Sequence, residues 1–141
     1  MLSPAESGKR CRIALGERLK SELGSFSLRS RTLSFTGKSV FVSYSDFHAN
    51  ISQWFYGVPK HEWEDWKHDF MAILMKESDE VNYILLDQRE CVTLFKKCGQ
   101  DSRGDKKINI RRPTNGGKIY IVEWEDFPLT SKCNPLQVSW S

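Results

Sequence analysis

The sequence predicts an α+β fold, in which an antiparallel β-sheet of two related hairpin units carries one principal amphipathic helix packed on it. Two stretches of alternating polar and apolar residues, within 24–47 and 106–127, are typical of β-hairpins. Between them, apolar residues recur at helical spacing from residue 59 to residue 77. With 141 residues and 39% hydrophobic content, the chain can bury one modest core. We therefore expect a single α+β domain over residues 24–141, preceded by a polar arm or short helix at residues 1–23.

The first half of the chain supplies the first hairpin. Residues 8–23 carry Ile13, Leu15, Leu19 and Leu23 at loosely helical spacing, but Gly16 weakens a helix there because glycine is a poor helix former. From residue 25 the stretches SFSLRSRTLSF and KSVFVSYSDF alternate in polarity around the Thr36-Gly37 break, which predicts a hairpin. The stretch ISQWFYGV adds a further strand before Pro59.

The segment from Pro59 to Glu77 has the clearest helical periodicity. At about 100° per residue, its aromatic and aliphatic side chains fall on one stripe, comprising Trp63, Trp66, Phe70, Ile73 and Leu74. His61, Asp65 and His68 fall on the opposite side. They could ligate a metal from one face, but no further ligand is indicated, so we interpret them as solvated polar residues.

The second half of the chain predicts the second sheet unit. EVNYILLDQREC has the composition of a strand, and CVTLFKKC fits either a strand or a short helix. KKINIRRP and GKIYIVEWEDF flank Asn115-Gly116, a pair that tolerates the positive φ of a tight hairpin turn.

Two segments of the chain resemble each other. GKSVFVSYSDF at 37–47 and GKIYIVEWEDF at 117–127 share five of eleven residues, namely the Gly, Lys, Val, Asp and Phe. The similarity favours a repeat over residues 27–77 and 81–141. Generic hairpin composition is the alternative explanation.

Charge is unevenly distributed along the chain. Residues 1–40 hold eight Lys/Arg and three acids, residues 41–90 hold four and ten, and residues 91–141 hold nine and five. This pattern either places a cationic surface on one side of the fold, where a polyanion would bind, or reflects ordinary solvated faces.

Composition also bears on location and on the cysteines. No stretch reaches the roughly 18 apolar residues of a membrane span, and no secretory signal is evident, so we expect an intracellular protein, cytoplasmic or nuclear. A Ser- and Arg-rich start leaves an organellar transit segment as the alternative. The four cysteines lack the spacing of zinc or redox motifs and are interpreted as reduced, mostly buried thiols.

Basic residues on the two hairpins predict binding of single-stranded DNA or RNA, because an unpaired strand is held by cations and by planar side chains on which bases stack. Pleat geometry assigns Tyr120 and Trp124 to the core, and Phe41, between Ser39 and Ser43, is the best candidate for an exposed aromatic. The predicted binding residues are Arg29, Arg31, Lys38, Phe41, Lys106, Lys107, Asn109, Arg111, Arg112 and Lys118.

The two Gly-Lys hairpin units and the stretch FYGVPKHEWEDWKHDF resemble a group of folds that includes Pur-alpha repeats, whirly proteins and the transcriptional positive coactivator. In these families a short apolar strand leads into a helix that opens with a Trp. The resemblance covers residues 24–127 and implies a twisted sheet that binds single-stranded nucleic acid, often as a dimer. Exposed β edges are also compatible with a homodimer.

The sequence is also compatible with two other functions. Asp87, Glu90, Glu123 and Glu125 could surround a divalent ion in a metal-dependent nuclease. Alternatively, the acids of the predicted helix and of the turn after it could bind a basic protein partner, as in an inhibitor or adaptor. No catalytic motif, phosphate loop or nucleophile pairing is present, so the sequence favours a non-catalytic protein without a cofactor.

Overall fold

The computed structural model describes residues 2–141, and these form four helices and nine strands. The helices are α1 (Pro4–Leu23), α2 (Lys60–Trp63), α3 (Gln88–Lys97) and α4 (Leu129–Lys132). The strands are β1 (Phe26–Arg29), β2 (Thr32–Phe35), β3 (Lys38–Asp46), β4 (Gln53–Val58), β5 (Phe70–Glu77), β6 (Glu80–Asp87), β7 (Lys106–Arg111), β8 (Tyr120–Ile121) and β9 (Asn134–Leu136). None of the helices in this described part combines the length and apolar character that a membrane crossing requires.

The strands form two sheets. The large sheet has the order β1-β2-β3-β5-β6-β9, and the small sheet has the order β4-β7-β8. All neighbours are antiparallel except β3 and β5, which are parallel. Parallel neighbours need a long crossover, and residues 47–69 supply it by running through β4 and α2. The α+β class, with mainly antiparallel sheet and one long helix, is confirmed.

The long helix is α1, at the N-terminus, where the sequence predicts an arm or a short helix. Ser3 caps it by accepting a hydrogen bond from the backbone N–H of Glu6, and Pro4 occupies the first turn, where its missing N–H costs nothing. Cys11, Leu15 and Leu19 are buried against one face of the large sheet. Helix propensity underestimates the helicity of this segment because it counts Gly16 only as a poor helix former. In the structure Gly16 makes room for the ring of Phe26, which lies directly against it.

The predicted helix from Pro59 to Glu77 is wrong. Only α2, a single turn, is helical, and residues 70–77 form β5, a central strand between β3 and β6. Five consecutive residues, Met71 to Met75, are buried because both faces of this strand are covered. An apolar run of this kind fits a buried strand as well as one face of a helix, and the parallel pairing with β3 decides in favour of the strand.

The small sheet and α3 cover the second face of the large sheet. Trp54, Tyr56, Ile108 and Ile110 point inward from β4 and β7. Helix α3 starts with a capping box, in which Asp87 accepts from the Glu90 N–H and Glu90 accepts from the Asp87 N–H. The ambiguous segment CVTLFKKC is thus helical up to Lys97. The molecule has three layers: α1, the large sheet, and the small sheet with α3.

The two similar segments fold differently. Residues 38–46 form the nine-residue strand β3, whereas in 117–127 only Tyr120 and Ile121 form a strand. Strands β7 and β8 do pair in antiparallel fashion, but only through two residue pairs and across the long loop 112–119. Asn115 and Gly116 make a turn inside this loop, where Gly116 has φ 82° and donates its N–H to the Pro113 carbonyl. Sequence similarity therefore does not extend to a shared local structure.

Candidate nucleic-acid interface

An open cleft of about 660 Å³ lies at the β1–β2 end of the large sheet. Its floor is a polar face, because strand pairing places Ser27 beside Ser34 and Arg29 beside Thr32. The apolar residues of the same strands, including Leu33 and Phe35, point to the other face and pack against α1. Pro59 and the start of α2 form the wall. We call this site the basic cleft, and its lining residues are Ser27, Arg29, Ser30, Arg31, Thr32, Ser34, Phe41, Pro59, His61 and Glu62.

Arg31 lies deepest among the charged groups of the basic cleft. It sits in the two-residue turn between β1 and β2, where Ser30 adopts a left-handed φ of 54°. Its guanidinium Nη2 donates to the Gly57 carbonyl at 2.9 Å and to Ser43 Oγ at 3.2 Å, and the group stacks 4.6 Å from the centre of the Phe41 ring. Arg31 thus satisfies a backbone acceptor on β4 and joins the two sheets.

Arg31 makes no ion pair with any carboxylate in residues 2–141, and the same holds for Arg29 at the exposed rim. Burial lowers the pKa of Arg31, and the positive charge of Arg12 lowers it further. A desolvated cation without a partner anion is costly, so an anion entering the basic cleft would be attracted. Glu62 and Asp105 act on the pKa of Arg31 in the opposite direction but make no ion pair with it, so the two guanidinium groups are what the cleft offers to phosphate or carboxylate.

A hydrogen-bonded chain of three side chains stands behind the wall of the basic cleft. Glu62 Oε1 and Oε2 lie 3.3 and 3.4 Å from His68 Nε2, and His68 Nδ1 lies 3.1 Å from Ser39 Oγ. The His68 ring is also packed against Trp66 and Phe41, with centroid distances of 4.9 and 5.5 Å. These contacts fix the position of the Glu62 carboxylate at the cleft surface.

Phe41 lines the bottom of the basic cleft but is not the exposed aromatic that the sequence predicts. Only 2% of its surface is accessible, because Trp66 and Arg31 cover it. The neighbouring serines, Ser39 and Ser43, gave the appearance of a polar face, yet residues 59–68 fold back over that face. Among the Phe, Tyr and Trp side chains of residues 2–141, the exposed one is Phe55 on β4, with 40% of its surface accessible.

Lys106 is also buried, contrary to its predicted role on the surface. Its exposed fraction is 8%, its Nζ donates to the Cys98 carbonyl at 3.1 Å, and it lies 4.5 Å from the centre of the Trp63 ring. Lys106 pairs with Val58 in the register of β4 and β7, so its side chain shares the inward face. It serves packing and is not available to a ligand.

Lys107, Asn109 and Arg111 point outward from β7, as the alternation predicts. Together with Gln53 and Phe55 of β4 they form a surface that we call the outer face of the small sheet. Phe55 stands opposite Asn109, and His48 packs edge-on against it at 5.1 Å. Several of these groups bond to neighbours: Lys107 to Asp101 at 3.1 Å, Arg111 to Gln53 at 3.2 Å, and Asn109 to Glu123 at 2.6 Å.

The remaining predicted residues lie apart from both surfaces. Lys38 is half-exposed beside Asp69 at the start of β3, at 3.8 Å. Arg112 forms a two-bond pair with Glu77. Lys118 is exposed in the loop before β8. Of the ten predicted residues, the structure brings Arg29, Arg31 and Phe41 together in the basic cleft and Lys107, Asn109 and Arg111 on the outer face.

The carboxylates of the nuclease alternative are used elsewhere in the fold. Asp87 and Glu90 close the capping box of α3, and Glu123 accepts two hydrogen bonds from Asn109. Within residues 2–141 no three His, Cys, Asp or Glu side chains are grouped so as to hold a metal ion.

The acidic helix of the protein-binding alternative is not formed, and its acids are dispersed. Glu62 lines the basic cleft, Glu64 pairs with Lys60 at 3.7 Å, and Asp69 accepts from the Ser39 N–H.

The cysteines are free thiols at separate places. Cys11, Cys91 and Cys98 are buried, and burial raises the pKa of each to about 12. A thiol with so high a pKa carries almost no thiolate at neutral pH and is a poor nucleophile. Cys133 is partly exposed, and burial raises its pKa as well.

Comparisons with protein-family models, with curated proteins and with solved structures gave no match to this chain. The resemblance to the Pur-alpha and whirly group therefore stays a prediction. Its strand-to-helix junction at residues 55–70 contains a single helical turn before β5.

Sequence reasoning missed the wall of the basic cleft. The sequence predicts His61 to be a solvated helix residue and Glu62 to be one of the acids available to a basic partner, and nothing local shows that both come to face Arg31, about thirty positions earlier. The floor of the cleft can be predicted from the sequence. If a two-residue turn is assumed, the alternation in SFSLRSRTLSF places Ser27, Arg29, Thr32 and Ser34 on one face.

Proposed function

We propose that this protein binds single-stranded nucleic acid in the basic cleft. The observation that carries the proposal is the pair Arg29 and Arg31, two cations without a carboxylate partner in the described chain, beside a floor of hydroxyl groups. Guanidinium groups match the geometry of phosphate oxygens, and serine and threonine hydroxyls both donate to and accept from phosphate and sugar.

The size of the basic cleft favours an unpaired strand. A volume of about 660 Å³ is in the range of sites for compact ligands, which corresponds to about one or two nucleotides. A paired duplex presents its phosphates on a wide convex surface and would meet only the exposed rim, where Arg29 lies. We therefore expect a preference for single-stranded over double-stranded ligands.

The outer face of the small sheet would extend the contact. Arg31 binds the Gly57 carbonyl from the side of the cleft, and Lys107 Nζ lies 3.5 Å from where a Gly57 Cβ would stand. The basic cleft and the outer face therefore meet at Gly57, with no other residue between them. A strand leaving the cleft there would meet Phe55, onto which a base can stack, and then Arg111.

Fluorescence anisotropy with labelled single-stranded DNA, single-stranded RNA and duplex, at two salt concentrations, tests the proposal. The key variant is Arg29→Ala, because the Arg29 side chain is exposed and makes no hydrogen bond within residues 2–141, so its removal should leave the fold intact. Losing one phosphate contact should weaken binding and reduce the slope of log K against log salt by about 1. Lys107→Ala/Arg111→Ala should give a second, separate loss.

The matched control is Arg18→Ala, which removes an exposed arginine from α1 on the far side of the large sheet. It should bind like the wild type. Absence of binding to all three ligands at low salt, or equal affinities of Arg29→Ala and Arg18→Ala, would contradict the proposal.

A further inference from the structure

The wall of the basic cleft carries the side chains of an acid–base pair. His61 and Glu62 both line the cleft from α2, across from Arg29 and Arg31 on the β1–β2 hairpin. Glu62 is the positioned member, because His68 and Ser39 hold its carboxylate through two successive hydrogen bonds. The exposed fractions of the Glu62 and His68 side chains are only 23% and 13%.

One tautomer of His68 leaves the Glu62 carboxylate as an acceptor towards the cleft. When Ser39 donates its hydroxyl hydrogen to His68 Nδ1, the neutral imidazole carries its own hydrogen on Nε2 and donates it to the carboxylate. Glu62 is then fixed in orientation and keeps lone pairs for a proton from a ligand. His68 is therefore a positioning residue, and the Glu62 carboxylate is the group that reaches the cleft.

We propose that the basic cleft cleaves RNA by intramolecular transphosphorylation, with Glu62 as general base and His61 as general acid. This inference rests on the proposed nucleic-acid binding and adds a reaction to it, whereas the sequence favoured a non-catalytic protein. Arg29 and Arg31 would bind the phosphate at which the reaction occurs.

The step balances without a further reactant. Glu62 takes the proton of a ribose 2′-hydroxyl, and the 2′-oxygen attacks the adjacent phosphorus and forms a new P–O bond. The bond from phosphorus to the 5′-oxygen of the next nucleotide breaks, and protonated His61 gives that oxygen a proton. The products are a 2′,3′-cyclic phosphate and a 5′-hydroxyl end, and at the end of the step Glu62 has gained one proton and His61 has lost one.

The arginines provide the electrostatic part of this reaction. Negative charge grows on the non-bridging oxygens as the 2′-oxygen adds, and fixed cations at that place lower the barrier. Arg31 is already held by Gly57 and Ser43, so it needs no rearrangement when the charge develops. Since the nucleophile is the 2′-hydroxyl, DNA of the same sequence would bind and stay intact.

The test uses three twelve-nucleotide probes of one sequence: all-RNA, all-DNA, and DNA with a single central ribonucleotide. The full-length protein is incubated with each probe in EDTA, and the products are identified by mass spectrometry. We expect the all-RNA probe to be cut, and the single-ribonucleotide probe to be cut only after its ribose, leaving a 2′,3′-cyclic phosphate. Glu62→Gln and His61→Asn should each slow cleavage by about 10²- to 10⁴-fold.

Controls separate the reaction from binding and from folding. Glu64→Gln changes the neighbouring exposed acid, which pairs only with Lys60, and should cut at the wild-type rate. His68→Asn should lower kcat while affinity for the all-DNA probe, measured by anisotropy, stays unchanged.

Three results would overturn the inference. If the all-DNA probe is bound but no ribonucleotide is cut, the reaction is wrong while the proposed function stands. If neither DNA nor RNA is bound, both proposals fail. Cleavage that survives in both Glu62→Gln and His61→Asn would assign the activity to other groups.

Discussion

At the scale of single residues, Glu77 and Arg112 show how charge connects the two sheets. Glu77 ends β5 in the large sheet, and Arg112 follows β7 in the small sheet. Arg112 Nη2 and Nη1 donate to the two Glu77 oxygens at 2.6 and 3.0 Å, and the guanidinium stacks on Phe47 and Trp54. The hydrogen bonds from Arg112 hold the pKa of Glu77 below its ordinary value.

This pair predicts a pH-dependent contribution to stability. Because the folded-state pKa of Glu77 is lowered, its contribution is present above the unfolded-state pKa and disappears as pH falls through the folded-state pKa. Glu77→Gln should reduce the free energy of unfolding at pH 7, by less than about 1 kcal/mol because both side chains are partly solvated. Urea denaturation of both proteins over a series of pH values checks this. A difference that persists unchanged under acidic conditions would contradict it.

Single residues also mark where the sequence was informative. The position of Arg29 on a polar face without any acid could be predicted from the alternation in SFSLRSRTLSF, and the binding role of Arg29 and Arg31 stays a prediction. Phe41 and Lys106 could not be placed, because their burial depends on Trp66 and Trp63, which come from distant parts of the chain. Alternation tells which residues share a face, but not whether another layer covers that face.

At the scale of elements, α1 shows a conflict between propensity and packing. Gly16 is buried in the middle of this helix, and a Cβ at that position would stand 2.5 Å from two ring atoms of Phe26. Phe26 is in turn packed against Phe35, with ring centroids 5.8 Å apart, so it cannot move away freely. Glycine at position 16 thus allows β1 to approach the helix closely.

Gly16→Ala should therefore destabilise the protein although alanine is the better helix former. Propensity alone would give a gain of about 1 kcal/mol, whereas overpacking costs about 1–3 kcal/mol. We expect a net loss in the free energy of unfolding, measured by urea denaturation. Ser21→Ala, at an exposed position of the same helix, is the control and should be neutral or slightly stabilising. A more stable Gly16→Ala protein would contradict the packing described for α1.

Residues 59–77, which the sequence predicts as one helix, show what helical periodicity alone cannot decide. Trp63, Trp66 and the apolar residues of 70–77 fit one helical stripe, yet Trp63 ends a single helical turn, Trp66 lies in the following loop, and residues 70–77 form a central strand. The strand is specified by its neighbours, since β5 lies between β3 and β6 with both faces covered. Local sequence located the β2–β3 hairpin, but the parallel pairing that orders the large sheet links segments about thirty residues apart.

At the scale of the whole molecule, the basic cleft lies at the end of the large sheet where the three-layer arrangement stops. Helix α1 continues under β1 and β2, but the small sheet and α3 lie over β3, β5 and β6. The polar face of β1 and β2 is therefore left open, and the start of α2 closes it on one side. The position of Arg29 on this face was predictable from the sequence, whereas the wall formed by His61 and Glu62 depends on the path of the crossover connection.

The measurement that tests the central claim most directly is an NMR titration of the ¹⁵N-labelled protein with an all-DNA ten-nucleotide single strand, which binds without being cut. The account predicts the largest amide shift changes in residues 27–34 and at His61 and Glu62, with smaller ones at Phe55, Lys107 and Arg111. A spectrum without changes, or changes confined to α1 and the opposite end of the large sheet, would contradict binding in the basic cleft.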